Sequence, residues 1–176
     1  MWSCFFIIFF LSVKDVKADY DTKVLYSFEN WIISEVPRNK LYILRGNSTG
    51  KNYGYFEYHC FQGSNQETVL FPILQNDKSQ KQQNFYVWND KARPVNLEFL
   101  NFKNTLAIAL YYTDRKKIQD AIRMKDYNTM SAWMFVETLR TSESEFGLGQ
   151  GVKSLTFDTK HLNTALTTFS ELCRRP

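Results

Sequence analysis

Apolar side chains recur at every second position in short runs along most of this chain, and turn-forming residues separate the runs, the pattern of half-buried strands. In residues 55–62 (YFEYHCFQ), Phe56, Tyr58 and Cys60 share one face, while Tyr55, Glu57 and His59 share the other. Residues 31–36 (WIISEV) and 41–45 (LYILR) predict two earlier strands, and 46–54 (GNSTGKNYG) is a turn-rich connection. Residues 67–75 (ETVLFPILQ) are almost continuously apolar, but Pro72 removes a ladder donor and predicts an edge strand or a bulge. The polar stretch 76–84 (NDKSQKQQN) predicts an exposed hairpin loop. Residues 85–89, with Tyr86 and Trp88 on one face, and 95–102 (VNLEFLNF) flank a short turn and predict an antiparallel pair. Residues 105–112 (TLAIALYY) fit a strand or the start of a helix. Residues 132–140 (AWMFVETLR) and 152–158 predict two more strands, joined by SESEFGLGQG as a flexible exposed loop.

The period changes to that of a helix in two places. Residues 113–126 carry a narrow stripe of Ile118, Ala121 and Ile122 on a charged background, with Thr113 or Asp114 as the cap. At the chain's end, Leu162, Ala165, Leu166, Phe169, Leu172 and Cys173 recur at helical spacing and form one continuous face. Asp158 or Thr159 is its expected N-cap. Burial of Leu162, Leu166, Phe169 and Leu172 contributes roughly 6 to 12 kcal/mol before entropy, which docks the helix firmly. The expected architecture is mainly β with minor α+β character: an antiparallel β-sandwich-like domain with one internal helix and a C-terminal amphipathic helix.

Residues 3–13 (SCFFIIFFLSV) are apolar but shorter than the roughly 20 residues a membrane-spanning helix needs. Followed by Val16-Lys17-Ala18, they read as a signal peptide over 1–18, with an uncleaved N-terminal anchor as the alternative given Lys14, Asp15 and Lys17 beside the cut, leaving 19–176 as a single β-rich domain with no transmembrane span in the mature chain. Removal of that leader takes Cys4 with it. Cys60 and Cys173 then remain, and an even pair in an exported chain is read as one disulfide. A closed loop on the order of 100 residues contributes about 4 to 5 kcal/mol by the chain-entropy argument. The implied compartment is periplasmic or extracellular.

Composition excludes more than it assigns. A hydrophobic share of 44% with 16% aromatics describes a folded chain. The net charge of +4 is interspersed with acids, so no stripe suited to nucleic acid is expected. His59 and His161 are too scattered to build a zinc site with the cysteines, and no cofactor is expected. Cys60 adjoins His59 on a strand, which sends the two to opposite faces, and Cys173 is twelve helical residues from His161, about 18 Å. No catalytic cysteine is therefore expected. Among carboxylates, Glu143 with Glu145, Asp114 with Asp120, and Glu57 with Glu67 or Glu98 are possible pairs, and Glu57 with Glu98 is the one to inspect for glycosidase spacing. Tyr53, Tyr55, Tyr111, Tyr112 and Trp88 are the aromatic candidates for a binding face. Asn47-Ser48-Thr49 is a glycosylation sequon, relevant in a eukaryotic source.

The segment DAIRMKD…SAWMFVETL and the closing LTFDTKHLNTALTTFSELC, taken with Trp31 and Cys60, resemble small exported proteins of Gram-negative bacteria, of the invasion-associated locus B type and the type VI secretion accessory type. The resemblance is one of residue classes, and Thr159-Lys160-His161 stands where glycines usually precede the final helix. It implies a periplasmic or surface β-sandwich with the C-terminal helix fastened by a disulfide, acting through binding rather than catalysis. A protein partner and an envelope, host-interaction or virulence role are the accompanying expectations. The functional expectation is a secreted or periplasmic non-catalytic binding or accessory protein; the alternative is a secreted hydrolase using surface carboxylates.

Overall fold

The computed structural model describes residues 21–64, 66–72, 74, 82–102, 106–112, 115–150 and 152–174. The expected leader over 1–18 and most of the expected 76–84 loop lie outside them. Ten strands are present among the described residues: β1 Lys23–Phe28, β2 Trp31–Val36, β3 Leu41–Asn47, β4 Tyr55–Phe61, β5 Gln66–Pro72, β6 Gln82–Asn89, β7 Val95–Phe102, β8 Leu106–Tyr112, β9 Glu145–Gln150 and β10 Lys153–Asp158. Three helices accompany them: α1 Arg115–Met124, α2 Tyr127–Arg140 and α3 Leu162–Arg174.

The strands form one antiparallel ladder in the order β1-β2-β3-β4-β5-β8-β7-β6-β9-β10. Laid flat, β4 and β9 would be five ladder steps apart, about 24 Å. Instead the Phe56 ring of β4 lies 6.0 Å from Phe146 of β9 and 5.2 Å from Phe157 of β10. The ladder therefore folds over on its apolar face, and its two halves enclose a common core in a sandwich-like α+β fold.

Alternation places Trp31, Ile33, Leu44, Phe56, Tyr58, Val69, Phe71, Phe85, Val87 and Leu97 on that inner face. Helix α2 fills the middle. Its Phe135 ring lies 4.7 Å from Phe71, 5.3 Å from Phe146 and 5.4 Å from Phe56, edge to face in each case. Helix α3 covers β2 and β3 and stacks Phe169 on Tyr58 at 5.1 Å. Cys173 of α3 is bonded to Cys60 of β4, with Cα atoms 5.8 Å apart across 113 residues of sequence.

The structure corrects several expectations. Residues 132–140 belong to helix α2, so two internal helices replace the one expected. Trp133, Phe135 and Val136 are strand-prone residues, but Ala132, Phe135, Val136 and Leu139 are buried at helical spacing. Asp126 starts this helix by accepting from the Thr129 amide at 3.3 Å. The expected SESEFGLGQG loop contains strand β9. Its glycines serve close approach: a Cβ on Gly147 would stand 1.9 Å from the Trp88 ring, and one on Gly149 would stand 3.1 Å away. Trp88 pairs directly with Gly147 and lies across β9 on the outer face, so a side chain there would displace it.

Strand β5 is interior, between β4 and β8. Pro72 is tolerated because it is the last residue of β5, beyond Leu70, where the pairing with β4 ends. Neither expected residue caps α3. The Asp158 carboxylate takes the Lys160 amide instead, and the buried Thr159 hydroxyl has no partner among the described residues.

Candidate functional site

The turn-rich stretch after β3 closes against the start of β10. The Ser48 amide donates to the Gly54 carbonyl at 2.9 Å, and the Ser48 hydroxyl donates to the Asn52 carbonyl. Across to β10, the Thr49 amide donates to the Thr156 carbonyl at 2.8 Å, and Asn52 Nδ2 donates to the Ser154 carbonyl at 2.8 Å. The Asp158 amide in turn donates to Thr49 Oγ1 at 3.1 Å. Gly54 allows this approach, since a Cβ there would fall 2.7 Å from the Leu155 side chain. On the far side, the Leu74 amide donates to Gln150 Oε1 at 2.9 Å.

These contacts frame a cleft of about 510 Å³. Its walls are Lys51, Asn52, Tyr53, Tyr55, Lys153 and Ser154, with Gly54, Leu74 and Leu155 completing the lining. The volume is in the range of small-molecule sites. Tyr53 is 96% exposed, and Val152, next to Lys153, is also 96% exposed, so the two most exposed large apolar side chains among those described flank this cleft. Arg45 stands 4.5 Å over the Tyr55 ring and holds it in place. Among the described residues the lining contains no carboxylate, imidazole or thiol.

The carboxylates considered for catalysis lie elsewhere. Glu57 is on the outer face of β4, where Oε1 accepts from Arg45 Nε at 3.0 Å and Oε2 is 2.8 Å from His59 Nε2. Burial raises the Glu57 carboxyl, but the hydrogen bonds and charges of His59 and Arg45 outweigh it and hold the group below its ordinary range. It is a carboxylate at neutral pH, already paired with the Arg45 guanidinium and bonded to the His59 ring. Glu98 is exposed on β7, three ladder steps away through β5 and β8, about 14 Å before its offset along the strand. That exceeds the roughly 5 to 9.5 Å of glycosidase pairs.

Glu67 faces inward, opposite Cys60, and is 5% exposed. Burial pushes its carboxyl up, and the Tyr58 hydroxyl bonded to it and the charges of Arg140 and Arg174 offset only part of that rise. Glu57 and Glu67 therefore lie on opposite faces of the sheet. Glu143 pairs with Lys91 at the surface, Glu145 is exposed opposite Asp158 in the β9–β10 hairpin, and Asp120 pairs with Arg123. Asp114 lies outside the described residues. His161 lies 3.7 Å from Glu29, far from either cysteine's surroundings. Among the described residues no three His, Cys, Asp or Glu side chains converge as metal ligands.

Of the aromatic candidates, Tyr53 and Tyr55 meet in the cleft. Trp88 is spent on β9, and Tyr111 and Tyr112 end β8 opposite Glu67 and Gln66, at the other end of the sheet from Tyr55. Sequence reasoning missed Lys51, Asn52, Leu74, Lys153 and Ser154, since nothing local links residues a hundred positions apart. The glycine-rich GNSTGKNYG was the available signal for the loop. Compared with protein-family models, curated proteins and solved structures, the chain finds no match in any of the three.

Proposed function

We propose that this chain is an exported, non-catalytic binding protein that takes its ligand in the cleft between the Lys51–Tyr55 stretch and the start of β10. The observation that carries this reading is the lining itself: tyrosine rings, lysines and amide groups converge there, and among the described residues no carboxylate, imidazole or thiol joins them. The Cys60–Cys173 bond supports export, because such bonds persist in oxidising compartments. Among the described residues no helix is long and apolar enough to cross a membrane. The hydrolase alternative receives no matching support, because Glu57 is paired with Arg45 and bonded to His59, and Glu98 is too distant to share a site with it.

The test is amide chemical-shift mapping while the isotope-labelled protein is titrated with a fragment and metabolite collection. Binding is expected to shift Lys51–Tyr55 and Lys153–Leu155. Shifts confined to the outer face around Glu57 and His59, or turnover of any added substrate that Glu57→Gln abolishes, would replace this reading with the hydrolase one.

A further inference from the structure

We infer that the cleft takes an acidic sugar chain, an oligosaccharide bearing sulfate or carboxylate groups. This rests on the cleft being the binding site proposed above. Three features select the class. First, Lys51 and Lys153 stand on opposite elements of the lining, and neither is in an ion pair among the described residues, whereas Lys91 and Lys160 are engaged by Glu143 and Glu29. Two lysine ammoniums with no acid among the described lining residues make a local field that favours an anion. The nearest acid on β4, Glu57, is already satisfied by Arg45 and His59 and leaves that field standing.

Second, the rings are presented as walls. Tyr53 is almost fully exposed, and Tyr55 is held beneath Arg45 with 39% of its surface open. Exposed tyrosines offer flat apolar faces with a polar tip, which suits the alternating C–H and O–H faces of a sugar ring. Third, among the described lining residues only Leu74 and Leu155 are aliphatic, too little for a lipid chain, while Asn52 and Ser154 place polar groups beside the rings. The loop is pinned to β10 by the Thr49 and Asn52 hydrogen bonds, so the backbone that carries Lys51 and Tyr53 is set beside Lys153 before any ligand arrives, and the Arg45 contact holds Tyr55.

The experiment is titration calorimetry on the full folded protein in 0.15 M salt with a sulfated hexasaccharide, a neutral hexasaccharide of the same length, and inorganic sulfate. The sulfated chain is expected to bind at least tenfold tighter than either comparison. The pair Lys51→Gln with Lys153→Gln is expected to weaken it tenfold or more, and Tyr53→Ala at least threefold. Lys23→Gln with Arg38→Gln, equal in charge change and exposed elsewhere, is expected to leave binding unchanged. All five positions are on the surface, so folding is retained. Equal loss in both double variants means that general basicity attracts the polyanion, and the inference falls. Tighter binding of the neutral sugar also overturns it while leaving the cleft as a binding site. Silence of all three probes overturns the ligand class, and the fragment mapping then decides separately whether the cleft binds anything.

Discussion

Helices α2 and α3 both seal the inner face of the folded-over ladder, yet they are secured by different means. Helix α2 is joined to strands' worth of chain on both sides and places Phe135 among Phe56, Phe71 and Phe146, where the two halves of the ladder meet. Helix α3 is the last described element and meets mainly β2 and β3, and the bond between Cys173 and Cys60 fastens its final turn. A helix at the centre is fixed by packing from all directions. One at the rim, packed mainly against two strands, is freer to peel away, and a covalent link removes that freedom.

The sharpest way to break this comparison is Phe135→Ala. It empties a wholly buried ring site and is expected to cost about 3 to 5 kcal/mol, lowering the denaturation midpoint of every probe together. Replacing Cys60 and Cys173 by alanine is expected to cost about 2 to 5 kcal/mol. Here hydrogen exchange should quicken first in α3 while α2 stays protected; uniform quickening would mean that α3 is no rim element. Gly147→Ala tests the outer face of the other half. It drives a methyl into Trp88 and is expected to cost about 1 to 3 kcal/mol, with a change in tryptophan fluorescence.

The smallest effect concerns Glu67, beside the disulfide. Its pKa is raised in the fold, so the folded chain holds this proton more tightly than the unfolded chain does. The stabilisation from that group is complete below the unfolded carboxylate range, about pH 4.3, and is lost as pH rises through the folded value. Glu67→Gln keeps an acceptor for the Tyr58 hydroxyl and removes the buried charge. It is expected to stabilise the protein near neutral pH on the order of 1 kcal/mol, with no gain in acid. Thermal midpoints measured across pH check the sign; a loss at neutral pH would show that the ionised form is the one the fold prefers.

Much of the fold was legible because strand period and helix period are local signals. The alternation around Phe56, Tyr58 and Cys60 and the α3 stripe appear in the structure as read. Residues 132–140 were misread because bulky, strand-prone side chains outweighed a four-residue helical stripe, and β9 was misread because glycine signals loops unless a distant aromatic ring needs the space. Of the cleft, only Tyr53 and Tyr55 were visible beforehand.

The sequence by itself determined the alternating strands, the closing amphipathic helix, and the two cysteines able to fasten it, since each depends on side-chain spacing within a few residues. Tertiary structure alone decided that the ladder folds over, that Trp88 lies on Gly147, and that Lys51 faces the same cleft as Lys153. Those outcomes depend on pairing across about 60 to 100 residues, where register and curvature, absent from any local pattern, bring side chains together.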